Sequence, residues 1–298
     1  MTFASPANAH QQDVAAQLAP FEKLRAPGVL LQCAAGALAA ILLARATPGL
    51  VDIGRNQAGV YALFYLGVGT VLLVRGQSAH LDAERLLGRV PSLPTCRLAV
   101  VAVPLGMLMI AGFWLLFLPI SFIAPDFVGA WAIANANRHP PQTVSGWTGQ
   151  LVVAVVIAPV VEEALFRGFL MHRWALRWGA RTGILLSSAI FAIGHVELLG
   201  HFAFGVVMCL LYARTRSLLV PILTHALNNF IASLGGLSAF VKPSRVAQPM
   251  TMASLRADWW IAVVLLALGG ALLEAYRRAF WQGIDLKALL NGPPPYAR

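Results

Sequence analysis

The stretch Val161-Glu162-Glu163-Ala164-Leu165-Phe166-Arg167 places two carboxylates and an arginine inside an apolar segment that is long enough to span a membrane. A charged side chain in hydrocarbon is costly, so ionisable residues at this depth indicate a functional site. Because Glu163 and Arg167 are four residues apart, they share one face of a helix and can form an ion pair. Glu162 points about 100° away from that face and has no partner in its own helix. One carboxylate is therefore predicted to be held by the arginine, while the other is free to face a cavity.

The composition is typical of polytopic membrane proteins. The chain has 298 residues, of which 58% are hydrophobic and 11% are charged, whereas soluble domains carry roughly 25% charged residues. The net charge of +10 comes from basic residues that lie singly or in pairs between apolar runs. This pattern is typical of topology signals and of contact with a lipid bilayer. The sequence has no basic cluster with interleaved aromatic residues, so no nucleic acid is expected as a partner.

Eight hydrophobic segments predict an all-α fold of about eight transmembrane helices, with seven as the alternative. The segments are 27–45, 57–74, 98–123, 149–170, 183–199, 202–214, 217–237 and 259–276. The distribution of Lys and Arg predicts that both the N- and the C-terminus are cytoplasmic.

The segments also predict a division of the chain. It consists of a cytoplasmic N-terminal tail (1–26), accessory transmembrane helices (27–123), a catalytic transmembrane core (149–237), a final transmembrane helix (259–276) and a cytoplasmic tail (277–298). The end of that tail, 291–298, is rich in proline and is expected to be disordered.

Two further helical segments carry polar residues. Phe191-Ala192-Ile193-Gly194-His195 places an imidazole in the fifth predicted helix. His225 and Asn229 lie one turn apart on one face of the seventh helix, and Asn228 lies near that face. Two donors side by side can stabilise an oxyanion. The structural alternative, for these residues and for the carboxylates, is hydrogen bonding or ion pairing between helices.

The depth of these residues favours a shared site. With a rise of about 1.5 Å per residue, Glu162, His195 and His225 lie ~13, ~18 and ~12 Å from the cytoplasmic ends of their helices. Helices that run in different directions thus bring their polar residues to similar depths. A single site in the cytoplasmic half of the membrane is predicted.

The remaining ionisable residues of the apolar region suggest no chemistry. His172 and His201 carry no motif and are assigned to loops or interfaces, as are His10, His80 and His139. Glu197 is two residues past His195, so it is expected on the opposite side of that helix, at the outer interface.

The three motifs together resemble a known family. Glu-Glu-x-x-x-Arg, Phe-x-x-x-His and His-x-x-x-Asn, in this order and each in a hydrophobic helix, resemble the CPBP (Abi) family of intramembrane proteases, which includes the type II CAAX prenyl endopeptidases. The matching residues are Glu162, Glu163, Arg167, Phe191, His195, His225 and Asn229. The resemblance covers about 150–235 and implies a cavity open to the cytosol and hydrolysis of a peptide bond in a membrane-associated peptide or protein.

The resemblance also implies roles for these residues. Glu162 would be the general base on a water that His195 helps to hold. His225 and Asn229 would stabilise the oxyanion. Glu163 and Arg167 would support the site, with Glu163 sharing proton handling, and Phe191 would be a structural support.

Three alternatives stay open. No cofactor is expected, but Glu162, His195 and His225 could instead hold Zn²⁺, with Glu163 as the base. A non-catalytic immunity or scaffold protein would keep the fold without the chemistry. A proton-coupled transporter would use the carboxylates as a relay, although the sequence has no internal repeat. The short loops and the Ala-, Leu- and Arg-rich composition favour the bacterial inner membrane, with the active site toward the cytoplasm.

Overall fold

Eight main helices make up the part of the fold that the structure describes. The computed structural model describes Val14 and residues 16–47, 57–137, 143–241 and 249–296, with the backbone alone for 57 and 235–241. The helices are α1 (Ala26–Ala46), α2 (Gln57–Ser78), α3 (Leu93–Ile123), α4 (Val144–Trp178), α5 (Ala180–Ile193), α6 (Leu198–Thr215), α7 (Leu219–Val241) and α8 (Trp260–Phe280). Shorter helical pieces are Ala19–Lys23, Ala83–Leu87, Pro125–Val128, Gly129–Ile133, Ala134–Ala136, Met252–Ala257 and Leu286–Asn291.

The predicted all-α polytopic membrane fold is confirmed. Each of the eight predicted segments overlaps one main helix, and the described residues contain no strand. Among those residues, six helices are long and apolar enough to cross a membrane. Two shorter apolar helices are α5 and the described part of α7, Leu219–Leu234. The number of crossings and the side on which the termini lie stay predictions.

The helices present apolar side chains on their outer surface. Leu31 is 72% exposed, Leu43 68% and Ile123 85%. Apolar exposure of this extent is typical of a surface that faces lipid tails rather than water. Helices in such a solvent associate through close packing, for which small residues are needed. On α1 and α2, Gly36 and Gly67 meet so closely that a Cβ on Gly67 would overlap the backbone of α1.

Helix α4 lies at the centre of the contacts that position polar residues. It packs against α2, α5 and α7, while α6 packs against both α3 and α5, and α8 covers α3. Phe191 of α5 is buried in a cluster with Leu105, Phe204 and Met208 from α3 and α6. This arrangement brings the middle of α4 within reach of α2, α5, α6 and α7.

The C-terminal tail is anchored as far as Tyr296. The prediction that 291–298 is disordered is therefore wrong for 291–296, and residues 297 and 298 lie outside the described ones. Tyr296 is only 2% exposed. Its hydroxyl accepts a hydrogen bond from the Asp82 N–H at 2.9 Å, and its own N–H donates to His172 Nε2 at 3.1 Å. Its ring meets that of Phe21 edge-on, with centroids 4.9 Å apart. His172 is therefore a buried core histidine rather than a loop or interface residue.

We expect Tyr296→Ala to lower the free energy of unfolding by about 3 kcal/mol, since it removes a buried aromatic ring. Tyr296→Phe keeps the ring and leaves only the Asp82 N–H without its acceptor, so its cost is about 1 kcal/mol. Unfolding by sodium dodecyl sulfate in mixed micelles, followed by tryptophan fluorescence, measures both. Equal effects of the two substitutions would contradict an anchor that depends on ring burial.

Candidate active site

Glu162 and Glu163 end a short α-helical stretch of α4 that has a π-helical turn on each side. The turns are Val153–Ile157 and Ala164–Leu170. A π turn widens the helix locally and is frequent at functional sites. Pro159 lies just after the first turn; because proline has no N–H and clashes with the preceding turn of an α-helix, an irregular turn there accommodates it. The sequence thus interrupts α4 on both sides of its two carboxylates.

Glu163 and Arg167 form a fully buried ion pair. The Arg167 guanidinium donates from Nη1 to Glu163 Oε1 at 2.8 Å, and both side chains are 0% exposed. Arg167 also donates from Nη2 to the Gly205 carbonyl of α6 at 3.2 Å. The guanidinium carbon lies 4.7 Å from the centre of the Phe191 ring. The pair predicted from the spacing along the helix is therefore formed, and it ties α4 to α5 and α6.

His225 of α7 lies between the two carboxylates. Its Nδ1 donates to Glu163 Oε1 at 2.8 Å. Because that oxygen also accepts from Arg167, it carries no hydrogen of its own, and the hydrogen of the bond is assigned to Nδ1. On the other side of the ring, Nε2 lies 3.8 Å from Glu162 Oε2. His225 is thus oriented by one glutamate and directed toward the other.

Glu162 has a partner outside its own helix. The Tyr65 hydroxyl of α2 donates to Glu162 Oε1 at 2.5 Å. The second oxygen, Oε2, is buried and accepts no hydrogen bond from any described residue. Sequence reasoning did not find Tyr65; a usable signal is its spacing from Tyr61, since two tyrosines four residues apart share one face of an apolar helix. One carboxylate oxygen is therefore fixed and the other is unpaired.

The polar residues line one cavity of about 220 Å³ between α2, α4, α5, α6 and α7. Its polar wall includes Glu162, His195, His201, His225, Asn228 and Asn229. Glu162, His195, His225 and Asn229 are thus brought together, and Phe191 also contributes to the wall. Glu163 and Arg167 lie behind the cavity.

His195 is not in a helix, contrary to the prediction. Helix α5 ends at Ile193, and His195 lies in the turn that follows. Its Nδ1 donates to the Phe191 carbonyl at 2.8 Å. A carbonyl can only accept, so in the neutral ring Nε2 carries the lone pair.

Glu197 does not lie on the opposite side of a helix from His195, as was expected. It is 5% exposed and caps the start of α6, while its position at the outer interface stays a prediction. Because the turn after α5 breaks the helix, the assumed helical spacing between His195 and Glu197 does not hold. His201 lines the cavity, and its ring stacks on that of His195 with centroids 4.1 Å apart.

Asn228 and Asn229 both line the cavity. Which of the two would donate to an oxyanion, a choice that the sequence spacing left open, is therefore still open. Asn229 donates one amide hydrogen from Nδ2 to the Ala154 carbonyl at 2.8 Å. Ala154 lies in the first π turn of α4, so this bond attaches α7 to α4. The second amide hydrogen of Asn229 is engaged in no other described hydrogen bond.

The arrangement of Glu162, His195 and His225 does not fit a zinc site. Zinc requires ligand distances of about 2.0–2.2 Å from imidazole nitrogen and carboxylate oxygen. Among the described residues, no three His, Cys, Asp or Glu side chains form a group that could hold a metal ion. The zinc alternative stays a prediction.

Comparisons with known proteins agree with the motifs. Residues 144–231 match the model of the family described as type II CAAX prenyl endopeptidase Rce1-like. A curated relative, "Putative membrane peptidase YdiL" of Bacillus subtilis (strain 168), is 33% identical over 82 residues, which are 26% of this chain and 34% of the relative. The match thus spans about a third of the length of that relative. No solved structure matches the chain.

We expect Arg167→Met to destabilise the fold by about 3–5 kcal/mol, because it leaves the Glu163 carboxylate buried without its ion-pair partner. The double variant Glu163→Gln/Arg167→Met removes both charges and should recover part of that loss. Unfolding in mixed micelles measures four free energies, those of the wild type, of Arg167→Met, of Glu163→Gln and of the double variant. Additive effects of the two substitutions would contradict direct coupling between these side chains.

Proposed function

Residues 144–231 match the Rce1-like family model, and from that similarity we propose that the chain is an intramembrane endopeptidase. Glu162 activates the water that attacks the peptide carbonyl. The observation that carries this proposal is the different environment of the two Glu162 carboxylate oxygens. Tyr65 fixes Oε1, whereas Oε2 accepts no hydrogen bond from any described residue. Glu162 lines the same cavity as His195 and His225. A general base needs an oxygen that no protein group occupies, on a side chain that is otherwise held in place.

The first step is proton transfer from water. Glu162 Oε2 takes one hydrogen of the water while the water oxygen bonds to the carbonyl carbon of the substrate. His195 accepts a hydrogen bond from the second hydrogen of the water through Nε2, which carries the lone pair because Nδ1 donates to the Phe191 carbonyl. That hydrogen stays on the oxygen and leaves with the carboxylic acid product. Supporting this assignment, both side chains lie on the same cavity wall.

The second step is stabilisation and collapse of the tetrahedral oxyanion. His225, whose Nδ1 is held by Glu163, stabilises the oxyanion from its Nε2 side, and Asn229 adds its second amide hydrogen, with Asn228 as the alternative donor. Donors fixed before the reaction stabilise the charge where it develops. The carbon–nitrogen bond then breaks, and the leaving amine takes the proton from Glu162.

The substrate in this proposal is a membrane-associated peptide or protein, cut near its C-terminus or within a membrane-proximal segment. The bilayer is the bacterial inner membrane, and the cavity opens toward the cytoplasm. Support comes from the excess of Lys and Arg on the side assigned to the cytoplasm and from the apolar outer surface of the helices. Catalysis is proposed to be independent of metal.

We expect Glu162→Gln to lower peptide cleavage by a factor on the order of 10²–10⁴, because the amide cannot take a proton from water. The assay is cleavage of a library of membrane peptides by purified protein in liposomes, with products identified by mass spectrometry. Glu84→Gln, which changes an exposed carboxylate, is the matched control and should retain activity. A zinc chelator should leave the wild-type rate unchanged.

Three outcomes would contradict the proposal in different ways. Cleavage that Glu162→Gln leaves intact would remove Glu162 as the base. Loss of activity with the chelator and recovery with Zn²⁺ would favour the metal alternative. Binding of peptides by the wild type without any cleavage would favour a scaffold protein.

We expect Tyr65→Phe to lower kcat by about 10- to 100-fold, which corresponds to the loss of one hydrogen bond to a charged group. The hydroxyl fixes Oε1 of Glu162, so its removal lets the carboxylate rotate away from the water. Steady-state kinetics on the same peptides measure the effect, with Tyr61→Phe for comparison. An unchanged kcat would contradict the role of Tyr65 in holding the base.

A further inference from the structure

His195 is weakly constrained by its own backbone. It lies in the turn between α5 and α6, so the restrictions that a helix places on side-chain rotamers do not act on it. Its ring makes one hydrogen bond, from Nδ1 to the Phe191 carbonyl. A single bond on one nitrogen does not by itself fix the plane of the ring, which also lies against the Phe191 ring with centroids 4.5 Å apart. The direction of Nε2 therefore depends on what the faces of the ring contact.

His201 covers one of these faces. The two imidazole rings lie 4.1 Å apart between centroids, with an angle of 20° between their planes. His201 belongs to the first turn of α6 and donates from Nδ1 to the Glu197 carbonyl at 2.6 Å. Unlike His195, it is thus fixed by a helix as well as by a hydrogen bond. The stack makes the His201 ring a platform for the His195 ring.

Glu197 fixes the platform in turn. Its carboxylate accepts from the Gly200 N–H through both oxygens at 2.8 Å and from the His201 N–H at 3.3 Å. The carboxylate packs against Gly112 of α3, where an added Cβ would lie 2.6 Å from Glu197 Oε1. The start of α6 is therefore held both by its cap and by contact with α3.

We propose that His201 is a positioning residue for His195. Its ring sets the plane of the His195 ring, so that His195 Nε2 faces the water beside Glu162. His201 itself forms no bond to substrate and transfers no proton. This inference rests on the proposed function and extends it by a residue that lies outside the three motifs.

The test compares His201→Ala, which removes the stacked ring, with His201→Phe, which keeps an aromatic ring in its place. We expect kcat to fall about 10- to 100-fold in His201→Ala, as misplaced catalytic groups do, with KM unchanged. His201→Phe should restore most of the wild-type kcat. His80→Asn removes a histidine that lies outside the cavity at a positive φ of 58°, which asparagine tolerates, and should act as the wild type.

A second readout does not need activity. Solid-state nitrogen-15 NMR of histidine-labelled protein in liposomes reports which ring nitrogen of His195 carries the hydrogen, with His195→Gln used to assign the signal. We expect one Nδ1–H form in the wild type and in His201→Phe, and a mixture of forms in His201→Ala. This readout also separates the proposed function from the positioning role of His201. If the wild type cuts no peptide, the proposed function fails, but the spectra still test whether His201 positions His195.

Two results would overturn the inference. If His201→Phe loses as much kcat as His201→Ala, the imidazole and not the stacked ring is what matters. If His201→Ala retains both the wild-type kcat and the single Nδ1–H form, His195 needs no platform.

Discussion

A single buried charge constrains the rest of the structure. The Arg167 guanidinium is completely removed from solvent, and a buried charge is tolerated only when it is paired and hydrogen-bonded. Glu163 from α4, the Gly205 carbonyl from α6 and the Phe191 ring from α5 all contact it. Because Glu163 also orients His225 of α7, one ion pair determines how four helices meet. The cavity lies where those helices converge.

The parts of the site that the sequence predicts are those that depend on helix geometry alone. The pairing of Glu163 with Arg167 and the shared face of His225 and Asn229 follow from four-residue spacing. The eight apolar segments follow from the requirement that backbone groups in lipid be satisfied within helices. These predictions needed no knowledge of how the helices pack.

The parts that the sequence did not predict depend on a break in a helix or on contact between distant segments. Placing His195 in a helix was wrong because the chain turns after Ile193. The same error placed Glu197 on the opposite side of a helix from His195, and it left His201 out of the predicted site. Tyr65 was missed because its contact with Glu162 spans 97 positions of the chain, and no local pattern encodes such a contact.

The place of Tyr65 in the chain also bears on how the site assembles. It lies outside the segment 144–231 that matches the family, on a helix that the ribosome completes before α4 is made. Chains form their structure from the N-terminal end during synthesis. The phenol is therefore synthesised before Glu162 and is available to the carboxylate as a hydrogen-bond donor as soon as α4 packs against α2. Expression of 144–231 alone would deprive Glu162 of that partner.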